Sequence, residues 1–348
     1  MDTLKVIIDV EEGTISVYNN GRGIPIALHE TESMYIPQLI FGNLLTSSNY
    51  DDDEKKLTGG RNGYGAKLAN IYSHEFTVET ACKAGKGYEA AKYKQVWTKN
   101  MGKVTTPKIT ANPKGEEFTR ITFRPDLERF HMNTIDDDTL SLLQRRVYDM
   151  AGTMKTVNSA GKKHGKDVKV FLNGERISIK SFKSYVEMYV NSATETAAEK
   201  GGAAVVAPTI VYERLNDRWE VAFAISETGS FQCVSFANSI ATIKGGTHVT
   251  IVADQIAKSL LAGIQKKNKA ATVKLPTIKG HMWLFVNALI ENPTFDSQTK
   301  ETLTLPASKF GSKPVLSEEF IKKGTFEPVQ TLLVLSRYDY SGEDAHRG

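Results

Sequence analysis

Thr58-Gly59-Gly60-Arg61-Asn62-Gly63-Tyr64-Gly65-Ala66-Lys67 packs four glycines into seven residues and runs into Leu68-Ala69-Asn70-Ile71-Tyr72-Ser73, whose apolar residues fall at helical spacing. A glycine-rich loop that ends at a helix N-terminus suits an anion. Its backbone N–H groups are exposed, its dipole favours negative charge, and glycine lets a phosphate approach the chain closely. The stretch is not a Walker A sequence, because no G-x-x-x-x-G-K-[ST] occurs there. Nor is it a dinucleotide fingerprint, since Gly60, Gly63 and Gly65 have the wrong spacing and no strand directly precedes them. On composition alone, a flexible surface loop and a phosphate cradle both remain open.

Upstream, Leu4–Val10 and Thr14–Tyr18 are β-branched runs separated by Glu11-Glu12-Gly13, which predicts a hairpin. No helix precedes it to cover the sheet edge, so the chain reads as one missing its natural beginning. The second strand runs into Asn19-Asn20-Gly21-Arg22-Gly23, where an Asn can bond a nucleobase edge or close a backbone turn. Tyr35–Leu45 carries helical spacing with Pro37 near its start. The acids Asp51, Asp52, Asp53 and Glu54 read as a solvated loop. Downstream, Glu75–Thr80 and Phe118–Phe123 alternate as strands, and Asp136–Met150 is an amphipathic helix with Leu140, Leu143, Val147 and Met150 on one face. Lys169–Leu172, Asn173-Gly174 and Glu175–Ile179 form a second hairpin. Lys155–Lys166 lacks apolar periodicity and reads as a basic, solvated insertion. Strands mixed with helices give an α+β architecture.

The chain has 348 residues, which suggests two domains. Asn191–Pro208 is poor in large apolar residues and predicts the linker, dividing a first domain at 1–190 from a second at 209–323. In the second, Trp219–Ile225 and Phe231–Phe236 read as strands and Gln255–Leu261 as helix. Gly245-Gly246 reads as a tight strand-to-helix connection. Hydrophobic content of 40% and charged content of 24% exclude a disordered chain. The longest apolar stretch, Met282–Ile290, is too short to span a bilayer. Cys82 and Cys233 make neither a disulfide framework nor a zinc site. The net charge of +4 is spread unevenly, because Lys258–Lys279 holds six lysines and no acid. Lys266, Lys267 and Lys269 there break the helical pattern and offer phosphate contacts, or form an ordinary basic helix end.

NNGRGIP, LLTSSNYDDDEKK, TGGRNGYGAK and FDSQTKE, in this order, resemble the ATPase region of eukaryotic DNA topoisomerase II, from about Leu4 to about Lys323. The resemblance implies an incomplete GHKL-type ATPase sandwich followed by a transducer domain of the ribosomal-protein-like α+β fold. It implies ATP and Mg2+ as cofactors, double-stranded DNA as partner, a homodimer and a nuclear location. By the same resemblance Asn19 lies near adenine, Ser47, Ser48 and Asn49 contact ribose and phosphates, and Gly60, Arg61, Asn62, Gly63, Tyr64, Gly65, Ala66 and Lys67 wrap the triphosphate. Gln298, Thr299 and Lys300 reach the γ-phosphate, with Lys300 and Gln298 as the catalytic pair, and Lys266, Lys267 and Lys269 face DNA. The family's general-base Glu and magnesium-binding Asn precede the first hairpin, so the expectation is weak ATP hydrolysis by this chain alone. Segment 324–348 departs from the family. Two other readings are a non-catalytic nucleotide- or DNA-binding fragment and another GHKL ATPase such as a mismatch-repair protein.

Overall fold

The structure is a computed structural model that describes residues 1–44, 46, 54–60, 62–154, 168–201, 207–226, 230–267, 269 and 273–323. The chain divides into two compact units: Met1–Glu54 with Gly60–Lys180, and Lys55–Gly59 with everything from Ser181 onward.

In the first unit, β1 (Thr3–Asp9) and β2 (Thr14–Asn19) pair antiparallel, with Gly13 at φ 60 closing the turn as expected. Helices α1 (Ile36–Gly42) and α2 (Tyr64–Ile71) follow, then β3 (Ser73–Cys82), β4 (Ala91–Thr98), β5 (Lys103–Val104), β6 (Lys108–Ala111) and β7 (Phe118–Pro125). Helix α3 (Asp137–Thr153) starts on Asp136, whose carboxylate accepts from Thr139 N at 2.8 Å. The Asn-Gly hairpin joins β8 (Lys169–Leu172) to β9 (Glu175–Arg176), with Asn173 and Gly174 both at positive φ. The sheet order is β5-β4-β3-β7-β2-β1-β8-β9, with β6 also on β4, and only β1–β8 runs parallel.

Alternation drives this sheet's core. Leu4, Val6 and Ile8 point inward with Ile15 and Val170 and pack with Val147, Leu140, Leu143 and Met150 of α3. Phe41 of α1 packs with Phe76, Val78, Tyr93 and Trp97. The strand β4 hid its period because Gln95 occupies an inward position. Gln95 is satisfied there by the Tyr93 hydroxyl and by donating to Thr105 O at 2.9 Å.

The second unit opens with α4 (Phe182–Gly201), then β10 (Val211–Asn216), β11 (Trp219–Ile225), β12 (Gln232–Ala237), β13 (Ile240–Ala241), α5 (Thr247–Lys267), α6 (Leu275–Gly280) and β14 (Met282–Ala288). Its sheet runs β10-β11-β14-β12-β13, parallel only between β12 and β14. Leu284 and Val286 pack with Val249, Val252, Ile256 and Leu260 of α5. On the other face Phe285 and Phe236 meet Tyr189 and Tyr185 of α4 at 6.1 and 5.8 Å between ring centroids. A central strand covered on both faces has no polar side, which explains the unbroken apolar character of Met282–Phe285.

The boundary differs from the sequence reading. The compact units part between Lys180 and Ser181, and residues 191–201 continue α4 instead of forming a linker. Ala, Glu and Lys are good helix formers, and an exposed helix end needs no large apolar residues. Similarly, Gln265, Lys266 and Lys267 form the last turn of α5, where lysines complement the helix dipole, and only Lys269 lies beyond it. Among the described residues, no helix is long and apolar enough to cross a membrane.

Candidate functional site

Gly63 is the N-cap residue of α2 at φ 66, a left-handed conformation that suits glycine, so the helix begins at Tyr64 and includes Gly65, Ala66 and Lys67 in its first turns. Among the described residues, and apart from their own chain neighbours and helix backbone, neither Gly60 nor Gly65 has a heavy atom within 4 Å of where a Cβ would stand. Lys67 is a deeply buried cation. It is 1% exposed and donates from Nζ to Thr46 O at 2.9 Å and to Gly63 O at 3.0 Å. Burial pushes its pKa down from the usual lysine range. Among the described residues no carboxylate pairs with it. A buried ammonium with neutral carbonyl partners keeps its charge available to an anion.

Asn19 ends β2, and its Oδ1 accepts from Gly21 N at 3.0 Å, so the side chain closes the turn. Gly23 has no room for a side chain: a Cβ there would fall 1.7 Å from Ala81 O of β3. Next to it Ile24 N donates to the Thr80 hydroxyl at 3.1 Å. Asn62 and Tyr64 are half-buried and Ala66 is exposed. Ser47, Ser48, Asn49 and Arg61 lie outside the described residues, as do the 155–166 insertion, the acids Asp51–Asp53 and the 324–348 tail.

The second unit holds the other residues. After β14, residues 292–304 form an irregular hairpin, with Phe295 bridged to Leu303 and Thr304 N donating to Thr294 O at 2.9 Å. Asp296 N donates to Thr302 O at 3.1 Å, and Lys300 N donates to Ser297 O at 3.1 Å across the tip. Gln298 and Thr299 are exposed on that tip, and Lys300 adopts φ 60. Lys300 Nζ donates to Gly59 O at 2.7 Å, and burial lowers its pKa. Lys244 N donates to Glu301 O and Thr247 N to Leu303 O, both at 3.0 Å, so the Gly245-Gly246 turn docks the hairpin's return strand. It is therefore a connection, as expected, and Gly246 is required because a Cβ would stand 2.3 Å from Leu303 O. Sequence reading passed over Thr46, which acts through its carbonyl, and the side chain of Asn292, whose contact partner lies 236 residues away.

Lys266, Lys267 and Lys269 are all exposed. Among the described residues no group of three or more His, Cys, Asp or Glu side chains fits a metal ion.

The fold is an α+β architecture in which a glycine-rich loop runs into the N-terminus of α2. The family model for DNA gyrase B matches residues 181–338. DNA topoisomerase 2 of Arabidopsis thaliana is 52% identical over 334 residues, covering 96% of this chain and 21% of that protein. The crystal structure of the ATPase region of Saccharomyces cerevisiae topoisomerase II superposes with a TM-score of 0.82 at 47% identity, covering 96% of this chain and 79% of that one. The ATPase and transducer domains of DNA topoisomerase II from Balamuthia mandrillaris give 0.81 at 43% identity, covering 96% and 80%. The chain belongs to the eukaryotic type II DNA topoisomerase family and corresponds to its ATPase region. It spans about a fifth of the length of the curated relative it matches.

Proposed function

We propose that this chain is the ATP-operated gate of a type II DNA topoisomerase. In this reading ATP, carried as its Mg2+ complex, binds over the glycine loop, with Asn19, Gly21 and Gly23 beside the base. Ser47, Ser48 and Asn49 meet ribose and phosphates, and Gly60 through Lys67 wrap the triphosphate. Lys300 neutralises charge on the terminal phosphate, and Gln298 orients it with Thr299 alongside. The complete enzyme uses a pair of such gates to capture one DNA duplex and pass it through a break in another. Lys266, Lys267 and Lys269 then meet the passing duplex through its phosphates, and the enzyme works in the nucleus.

One observation supports the reading above the others: Lys67 is 1% exposed and, among the described residues, its ammonium is held only by backbone carbonyls. A structural lysine at such depth ordinarily has an acid partner. The Gly63→Val variant tests the loop, because a β-branched residue is strained at φ 66. Calorimetric titration should show that the wild-type chain binds both ADP and the non-hydrolysable analogue AMPPNP. Gly63→Val should weaken both by about tenfold or more while helix content by circular dichroism is kept. Undiminished binding of both nucleotides would remove the loop from the site.

A further inference from the structure

Lys300 is held by a piece of chain from far upstream. The stretch Lys55–Gly59 belongs to the second unit, although the residues flanking it on either side belong to the first. It is fixed at both ends. Lys56 N donates to Asn292 Oδ1 at 2.9 Å and Asn292 N donates to Lys56 O at 3.0 Å, so one asparagine grips both polar groups of a peptide backbone. Beside it, Glu291 accepts from Arg218 at 2.7 Å and lies 3.7 Å from the Lys55 ammonium. The Arg218 contact holds the Glu291 carboxyl below its usual range. At the far end Gly59 lies against Ile240, whose Cδ1 would be 1.9 Å from a Cβ, and its carbonyl accepts the Lys300 ammonium at 2.7 Å.

Asn292 suits this place for two reasons. Its φ of 41 lies in the left-handed region, which asparagine tolerates better than most residues. Its amide supplies the acceptor that a glycine, equally comfortable there, would lack. Meanwhile the Lys300 ammonium rests on a neutral carbonyl. That grip is weaker than a carboxylate's and leaves the full charge to be exchanged for a phosphate oxygen.

We propose that Asn292 is a positioning residue for Lys300: by pinning the Lys56 backbone, it fixes the Gly59 carbonyl on which Lys300 waits for a terminal phosphate. Gly59 is followed directly by Gly60, so the parking carbonyl and the phosphate loop are neighbours in the chain. The inference rests on the proposed role of Lys300. It adds that the lysine's readiness depends on an asparagine acting through the Lys56 backbone.

The test is the ratio of AMPPNP to ADP affinity, measured by calorimetry on the whole chain. Asn292→Gly keeps the backbone conformation and removes the acceptor, and it should lower the ratio about 3- to 10-fold with ADP affinity within about twofold of wild type. Asn292→Asp retains an acceptor at the same atom and should restore the wild-type ratio. Combined with Lys300→Ala, Asn292→Gly should add nothing, because both changes act through one ammonium. Lys56→Pro, which removes the donor from the other side, should behave like Asn292→Gly and serves if that variant unfolds. A wild-type ratio in both Asn292→Gly and Lys56→Pro, with the ratio lost in Lys300→Ala, overturns this inference and leaves the Lys300 reading standing. An unchanged ratio in Lys300→Ala overturns both. Fully additive losses in the double variant also overturn it.

Discussion

His248 should make the second unit sensitive to acid. It is the second residue of α5 and is fully buried, with Nε2 3.0 Å from the Thr242 hydroxyl, which in turn lies 2.7 Å from the Ser235 hydroxyl. Among the described residues Nδ1 has no hydrogen-bond partner. Burial pushes the imidazole pKa down to about 3 from 6.5. A helix N-terminus adds to the cost of a cation there. Folded protein therefore holds His248 neutral, whereas the unfolded chain takes up a proton below 6.5. Above 6.5 both states are neutral and stability does not depend on this group. Between 6.5 and about 3 the unfolded state binds one more proton, so stability falls with pH by about 1.4 kcal/mol per unit. From pH 7 to pH 5 the loss is about 2 kcal/mol. The assay is urea unfolding followed by tryptophan fluorescence, with Trp219 buried and Trp283 half-buried in the same unit. Wild type is compared with His248→Gln, which keeps a neutral polar side chain beside Thr242. Glu291 and Asp296, whose carboxyls are held low, are common to both proteins and cancel in the difference. Wild type should lose about 2 kcal/mol more than the variant between pH 7 and pH 5. Parallel stability curves would refute the reasoning.

Three further outcomes follow from the geometry. Lys67→Met should weaken ADP and AMPPNP binding alike, by about tenfold or more in calorimetry, because the charge is lost near the loop and not at one phosphate. Gly23→Ala should cost about 1–3 kcal/mol in urea unfolding, since the new Cβ meets the Ala81 carbonyl of β3, backbone that cannot swing aside. Changing Lys266, Lys267 and Lys269 together to Ala should weaken duplex DNA binding and flatten its dependence on salt, as fewer counterions are released. An unchanged salt slope would make them solvated surface.

Local pattern was legible where one short segment decides the outcome. The β1–β2 hairpin, the Asn173-Gly174 turn and the apolar face of α3 each declare themselves within a few residues. β4 did not, because Gln95 faces the core and is recognisable as inward only once Tyr93 and Thr105 are seen to satisfy it. The end of α4 misled because a helix extending past its sheet needs no apolar stripe. In the candidate site the glycine loop stood out by composition, and Gln298, Thr299 and Lys300 by resemblance. The burial of Lys67 and the membership of Lys55–Gly59 in the second unit did not. Both depend on partners supplied by the fold, namely the Thr46 carbonyl and an asparagine 236 residues away.

Terminal-phosphate recognition by Lys300 is the most direct point to measure. Wild-type chain and Lys300→Ala are each titrated calorimetrically with ADP and with AMPPNP in the presence of Mg2+. The gate reading predicts that Lys300→Ala keeps its ADP affinity and loses about tenfold or more for AMPPNP, because the ammonium serves a phosphate that ADP lacks. Equal losses for both nucleotides would contradict it and reduce Lys300 to a brace for the Gly59 carbonyl.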